Sequence, residues 1–222
     1  MIDFTASCNA VSIAAGRTRL AGSLQLPAGA RGVVLYALCE DSRRPIAQAD
    51  HLAEALRRAG LGSLRLESVA SCDAAAEYDP AQRSAHLACA GDWLAAEPRT
   101  RHLALGLFGS GGEAAAVLLL AARRPEQTAA VVASGGRPDL AGADTLARVR
   151  APTLLIVGEQ EDTIVEFNRL ALDQLGGEKD LALIRGAAHP RGQQAALGEI
   201  ARLAARWFQG YCGAESNSAP RG

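Results

Sequence analysis

Residues 101–125 read RHLALGLFGSGGEAAAVLLLAARRP, and the parsing of this stretch decides the fold. Residues 103–108 form an apolar run suited to a strand covered on both faces, and residues 112–122 are an alanine- and leucine-rich helix. Between them lie Gly109, Ser110, Gly111 and Gly112. A strand, a glycine-rich turn and a helix, in that order, make the place where an α/β sheet presents either a nucleophile or a cluster of backbone N–H groups.

On either side the same alternation continues. Upstream, residues 10–14 and 20–26 read as two antiparallel strands at a sheet edge, joined through Gly16, Arg17 and Thr18. Residues 32–38 form a continuous apolar strand, 46–59 a helix with Ala49, Leu52, Ala53, Leu56 and Ala59 on one face, and 61–66 a further strand. Residues 67–78 are a polar, alanine-rich connection, after which Asp79 is set to cap a helix over 80–96 that opens with Pro80. Downstream, strands are predicted at 129–133, 153–157 and 181–184, and helices at 142–149, 165–175 and 193–208. Strands that alternate with helices throughout predict one α/β domain over residues 1–212, with a mainly parallel twisted sheet of about eight strands flanked by helices. Residues 213–222 carry no apolar periodicity and are expected to be a disordered tail.

Composition narrows the function classes. The chain has 222 residues, 49% of them hydrophobic, enough for one large core. Its 23 basic and 24 acidic residues are interspersed and the net charge is −1, which points away from nucleic acid and anionic membranes. The five cysteines form no C-x-x-C pair, so neither a disulfide framework nor a zinc site is expected. No apolar run reaches the roughly 18 residues of a membrane span, and the start lacks a basic and then apolar leader. The expectation is a cytoplasmic, cofactor-independent protein that binds no metal and takes a small-molecule ligand.

Several segments together resemble the α/β-hydrolase superfamily, and within it the dienelactone-hydrolase-like proteins. They are Gly106 to Gly109, Gly135 to Leu140, Ala151 to Gly158 and Gly186 to His189, and the resemblance runs from about Arg31 to Phe208. It implies a nucleophile after the fifth strand, an acid after the seventh and a histidine after the last. Asp162 matches the acid position, with its neighbour Glu161 as fallback, and His189 matches the histidine. Matched without gaps from Gly106 to Pro125, the nucleophile position falls on Gly111, and Ser110 stands one residue early.

The family's nucleophile turn needs small residues two before and two after its apex, because the strained backbone leaves no room for side chains. With Gly111 as apex, Gly109 fits but Glu113 does not; with Ser110 as apex, Gly112 fits but Phe108 does not. The backbone N–H that helps hold an oxyanion follows a His-Gly in the family, where this chain has Leu38 and Cys39. Cys39 lies beside Glu40 and Asp41, which would keep it a thiol, so a structural strand-end cysteine is expected there. Residues 109–114 also match G-x-G-x-x-A, but the next strand ends in Ala133, Ser134 and Gly135 without the acid that a dinucleotide site needs about 20 residues on. Arg137 is a candidate for a substrate carboxylate, with an ion pair to Asp139 as the alternative. His51, His86 and His102 have no partner at metal-ligand spacing and read as structural.

Three functions follow from these residues. In the first, His189 and Asp162 act as an acid–base pair over a glycine turn with no nucleophile, in a non-hydrolytic or degenerate hydrolase. The alternative is an ester or lactone hydrolase that uses Ser110, His189 and Asp162 as a triad. The third is a binding or interaction protein without chemistry.

Overall fold

The computed structural model describes residues 8–37, 43–67, 79–185 and 190–213. Among these residues there are eight strands: β1 (Cys8–Ala15), β2 (Thr18–Gln25), β3 (Gly32–Ala37), β4 (Gly62–Leu66), β5 (Ala104–Ser110), β6 (Thr128–Ser134), β7 (Thr153–Gly158) and β8 (Lys179–Ile184). The helices are α1 (Arg43–Arg58), α2 (Pro80–Ala96), α3 (Glu113–Arg123), α4 (Ala143–Leu146), α5 (Asp162–Gln174) and α6 (Pro190–Cys212), with a 3-10 turn over Pro138–Ala141. The expected edge hairpin and alternating βα units are present. The expected tail, Gly213 apart, and nearly all of the 67–78 connection lie outside the described residues.

A single sheet runs in the order β1-β2-β4-β3-β5-β6-β7-β8. β2 is antiparallel to both its neighbours, and every other pairing from β4 to β8 is parallel. The chain moves one way from β3 to β4 and the other way from β5 to β8, so the order reverses between β3 and β5. Clefts open beyond the carboxyl ends of strands at such a reversal.

Helices cover both faces, and strand alternation decides which residue serves which layer. In β3, Val33 and Leu35 pack with Leu107, Leu118 and Leu87 on the side of α2, α3 and α5. Val34 and Tyr36 pack with Phe108, Leu52, Leu56 and Phe208 on the side of α1 and α6. Tyr36 and Phe108 meet edge to face with ring centroids 6.4 Å apart. Removing a buried ring such as Phe208 would cost about 3–5 kcal/mol, so these layers hold the strand ends rigidly. α2 starts as its sequence dictates: the Asp79 carboxylate accepts from the Ala81 N–H at 2.8 Å, and Pro80 opens the helix where its missing N–H costs nothing. Among the described residues no helix is long and apolar enough to cross a membrane.

Candidate functional site

β5 delivers Ser110 to the top of the sheet, and the chain turns at once through Gly111 and Gly112 into α3. Gly111 has a φ of +57°, in the left-handed region, and is held by its N–H donating to the Ser134 carbonyl at 3.0 Å. Beyond its chain neighbours, no atom of the described residues lies within 4 Å of where a Cβ on Gly111 would stand. Gly109 is the opposite case. A Cβ there would meet the Glu113 carbonyl oxygen at 2.5 Å and Val117 Cγ2 at 2.8 Å, so β5 and the first turn of α3 can approach this closely only over glycine.

Glu113 does not crowd the turn, as its place two residues after Gly111 had suggested. Its side chain runs into the gap between α2 and α3, where it is buried and paired with the Arg83 guanidinium. Burial pushes its carboxyl above the usual carboxylate range, and Arg83 pulls it part of the way back, with a smaller contribution from His86.

A pocket of about 320 Å³ opens over the turn. Ser110 and Gly111 line it together with Ser134, Gly135 and Gly136 after β6, Gly158 and Glu161 after β7, and Ile184 at the end of β8. Ala196, Leu197 and Ile200 of α6 form an apolar wall. Gln48 of α1 closes it from the far side, and the Ser110 hydroxyl donates to the Gln48 amide oxygen at 3.1 Å. No sequence motif marks Gln48: it is an interior helix residue separated from Ser110 by 62 positions, and only the packing of α1 against the sheet brings it here.

The acids and the arginine are arranged more sharply than the sequence allowed. Asp162 is the first residue of α5, exposed, and is not among the residues that line the pocket. Glu161, the residue just before the helix, does line it; its N–H donates to the Gly158 carbonyl at 3.0 Å, and its own carbonyl accepts from Val165 at 2.8 Å. The structure does not bring Arg137 to the pocket. Its guanidinium makes a two-point hydrogen bond to Asp139, at 2.8 and 2.6 Å, and lies 3.6 Å from the centre of the Phe167 ring. An arginine engaged by a carboxylate and an aromatic face, away from the residues that line the pocket, is a poor receptor for a ligand's carboxylate there. Gly112 immediately precedes α3, with φ −60° and ψ −25° and no side-chain cap; the Ala114 N–H already donates to the Gly111 carbonyl at 3.2 Å, which leaves those of Gly112 and Glu113 as the candidates to meet a ligand. Cys39 and His189 lie outside the described residues. Among the described residues, no three His, Cys, Asp or Glu side chains are grouped to hold a metal.

No protein-family model matches the chain. It is 36% identical over 201 residues to proteins of two Mycobacterium tuberculosis strains that bear the name of a phosphoribosyl transferase, covering 89% of this chain but 45% of theirs. The chain thus spans less than half the length of these curated relatives. The esterase domain of a Rhodothermus marinus protein superposes with a TM-score of 0.76 at 19% identity over 93% of this chain and all (100%) of that one, a likeness of fold. The dienelactone hydrolase of Anabaena variabilis superposes with a TM-score of 0.86 at 38% identity, over 93% of this chain and 99% of that one. With that degree of identity spread over the whole of both chains, and with the sheet order and strand-end pocket described above, this chain belongs to the dienelactone-hydrolase-like proteins of the α/β-hydrolase superfamily.

Proposed function

We propose that the chain acts on a small molecule held beyond the carboxyl ends of β5 to β8, and that Gly111 occupies the nucleophile position of the family, so that the chemistry is acid–base rather than covalent. One observation carries this reading. Gly111 has the positive φ of a strained strand-to-helix apex and, among the described residues, open space where a side chain would project, yet has no side chain to attack with. Ser110, one residue earlier, hydrogen bonds to an amide oxygen, which cannot take its proton.

The step such a site supports is proton abstraction beside a carbonyl. His189, oriented by Glu161 or Asp162, takes the proton from carbon; the C–H electron pair moves into the carbonyl, and the resulting oxyanion is met by the N–H groups at the start of α3. Return of the proton from the imidazole to another carbon, or to the same one, completes an isomerisation or exchange without any covalent intermediate. The helix dipole favours the negative charge at that end.

The second reading, a Ser110 hydrolase, is favoured by the place of Ser110 on the pocket wall. His189 would then remove the Ser110 proton as the hydroxyl attacks an ester or lactone carbonyl. Wild type, Ser110→Ala and His189→Ala, compared on a panel of small lactones and esters, separate the two. Solvent deuterium entering the α-carbon, kept in Ser110→Ala and lost in His189→Ala, supports the acid–base reading. Hydrolysis lost in Ser110→Ala overturns it.

We assign the phosphoribosyl transfer in the name of the mycobacterial relatives to the part of those proteins that this chain does not span. A pyrophosphate leaving group calls for cationic partners. Among the described residues that line the pocket, the ionisable side chain is that of Glu161, an acid.

A further inference from the structure

Asn168 of α5 is fully buried, 0% exposed. Its Nδ2 donates to the Ile164 carbonyl at 2.8 Å and to the Gly136 carbonyl at 3.2 Å, which uses both amide protons. Its Oδ1 is buried with no hydrogen-bond partner among the described residues. An apolar side chain here would avoid the cost of that unpaired acceptor, so the donations must secure something an apolar residue could not.

The bond to Ile164 stays within α5, whereas the bond to Gly136 reaches across 32 positions to the loop after β6. Gly136 in turn touches the glycine turn after β5. It has a φ of +76°, and a Cβ on it would stand 2.0 Å from the Gly111 carbonyl oxygen, so the two backbones are in direct contact. The same loop is tied down by the Gly135 N–H donating to the Ile156 carbonyl at 2.7 Å, and Gly111 by its bond to Ser134. Contact therefore runs without a break from Asn168 through Gly136 to the Gly111 peptide, and two residues of that path, Gly136 and Gly111, line the pocket, as does the neighbouring Gly135.

We propose that Asn168 is a positioning residue for the site. It fixes the Gly136 carbonyl and, through Gly136, the Gly111 peptide, so that the N–H groups at the start of α3 keep one direction toward the pocket. What those N–H groups meet rests on the function proposed above; the clamp itself does not. A flexible loop after β6 would let the Gly111 peptide rotate, and a site built on backbone N–H groups loses its preorganisation when its peptides rotate.

The test is amide hydrogen exchange by NMR on the ¹⁵N-labelled full chain. In wild type the Asn168 side-chain NH₂ should exchange far more slowly than surface amides, because both protons are bonded and buried; exchange at the surface rate overturns the clamp without any variant. In Asn168→Leu, of the same branched shape, larger and free of polar atoms, the Gly111, Ala114 and Gly135 amides should exchange about tenfold faster relative to the amides of β3, the change expected from losing one hydrogen bond to the loop. If acceleration is confined to α5, or if Leu preserves slow exchange at Gly111, Asn168 serves packing alone and the proposal fails. Should the exchange respond as stated while Gly111→Ser gains no esterase activity, the clamp stands and the proposed chemistry falls.

Discussion

Replacing Gly111 by serine should turn this protein into a measurable esterase, at a stability cost that the structure lets one calculate. A serine at φ +57° pays the left-handed penalty of a non-glycine residue, about 1–2 kcal/mol. Against the described residues it pays nothing further in packing, because none of their atoms beyond the chain neighbours lies within 4 Å of the new Cβ. For a chain of this size each kcal/mol lowers Tm by about 2–4 °C, so the variant should melt about 2–8 °C below wild type by circular dichroism and remain folded at 25 °C. Glu113 need not be changed with it, since its side chain is engaged with Arg83 and leaves the turn clear. Hydrolysis of p-nitrophenyl acetate should rise about 100-fold or more over the parent, the lower end of what a positioned base contributes to a hydroxyl nucleophile. His189→Ala in the same background should remove the gain, because a serine without its base is a poor nucleophile at neutral pH. A folded Gly111→Ser protein with no gain, and no labelling by a serine-directed fluorophosphonate, would refute the assignment of position 111 as the apex. Proton-exchange activity of the parent, where found, should fall in Gly111→Ser, since the new side chain fills the space over the turn.

Other outcomes follow from the same geometry. Native protein should label slowly or not at all with a fluorophosphonate, because the Ser110 proton is directed at Gln48; rapid labelling lost in Ser110→Ala would move Ser110 to the apex role. In the Gly111→Ser background, Glu161→Gln should reduce turnover more than Asp162→Asn, since Glu161 lines the pocket and Asp162 does not, and the reverse order would return the acid's role to Asp162. Arg83→Met leaves Glu113 buried without its partner and should cost about 3–5 kcal/mol in urea unfolding near neutral pH, with much of that recovered in Arg83→Met with Glu113→Gln. The sign with pH is fixed. Burial raises the Glu113 carboxyl above its unfolded value, so its protonated form favours the fold at low pH, and that contribution is lost as pH rises through the folded value. The loss should be steeper in Arg83→Met and flat once Glu113 is Gln; a pH-independent deficit in Arg83→Met would contradict the pairing.

Much of the fold was legible in the sequence because it depends on neighbours along the chain. The apolar run of β3, the Asp79 cap with Pro80, and the passage from β5 through glycine into α3 are set by local periodicity and backbone preference, and the structure has each of them where those signals lie. The glycine turn of the candidate site could be read for the same reason. What the sequence left open were the contacts between elements distant in the chain and the direction taken by a side chain at an element's end. Gln48 meets Ser110 across 62 positions only because α1 packs on the sheet against α6 and β4. Glu161 and Asp162 are adjacent, but one precedes α5 with a non-helical backbone (φ −96°, ψ 63°) and the other begins the helix, so their side chains leave in different directions and only Glu161 lines the pocket. Arg137 has Asp139 two residues away and Phe167 on α5, and the docking of that helix beside the 3-10 turn settled that its charge is already engaged. Glu113 was counted from spacing alone as an obstruction, whereas tertiary packing supplied Arg83, from a helix 30 positions back, and drew the carboxylate out of the turn. Periodicity fixes the elements; charge pairing and close packing across the sheet, which depend on distance in space and not along the chain, decide which side chains face the pocket.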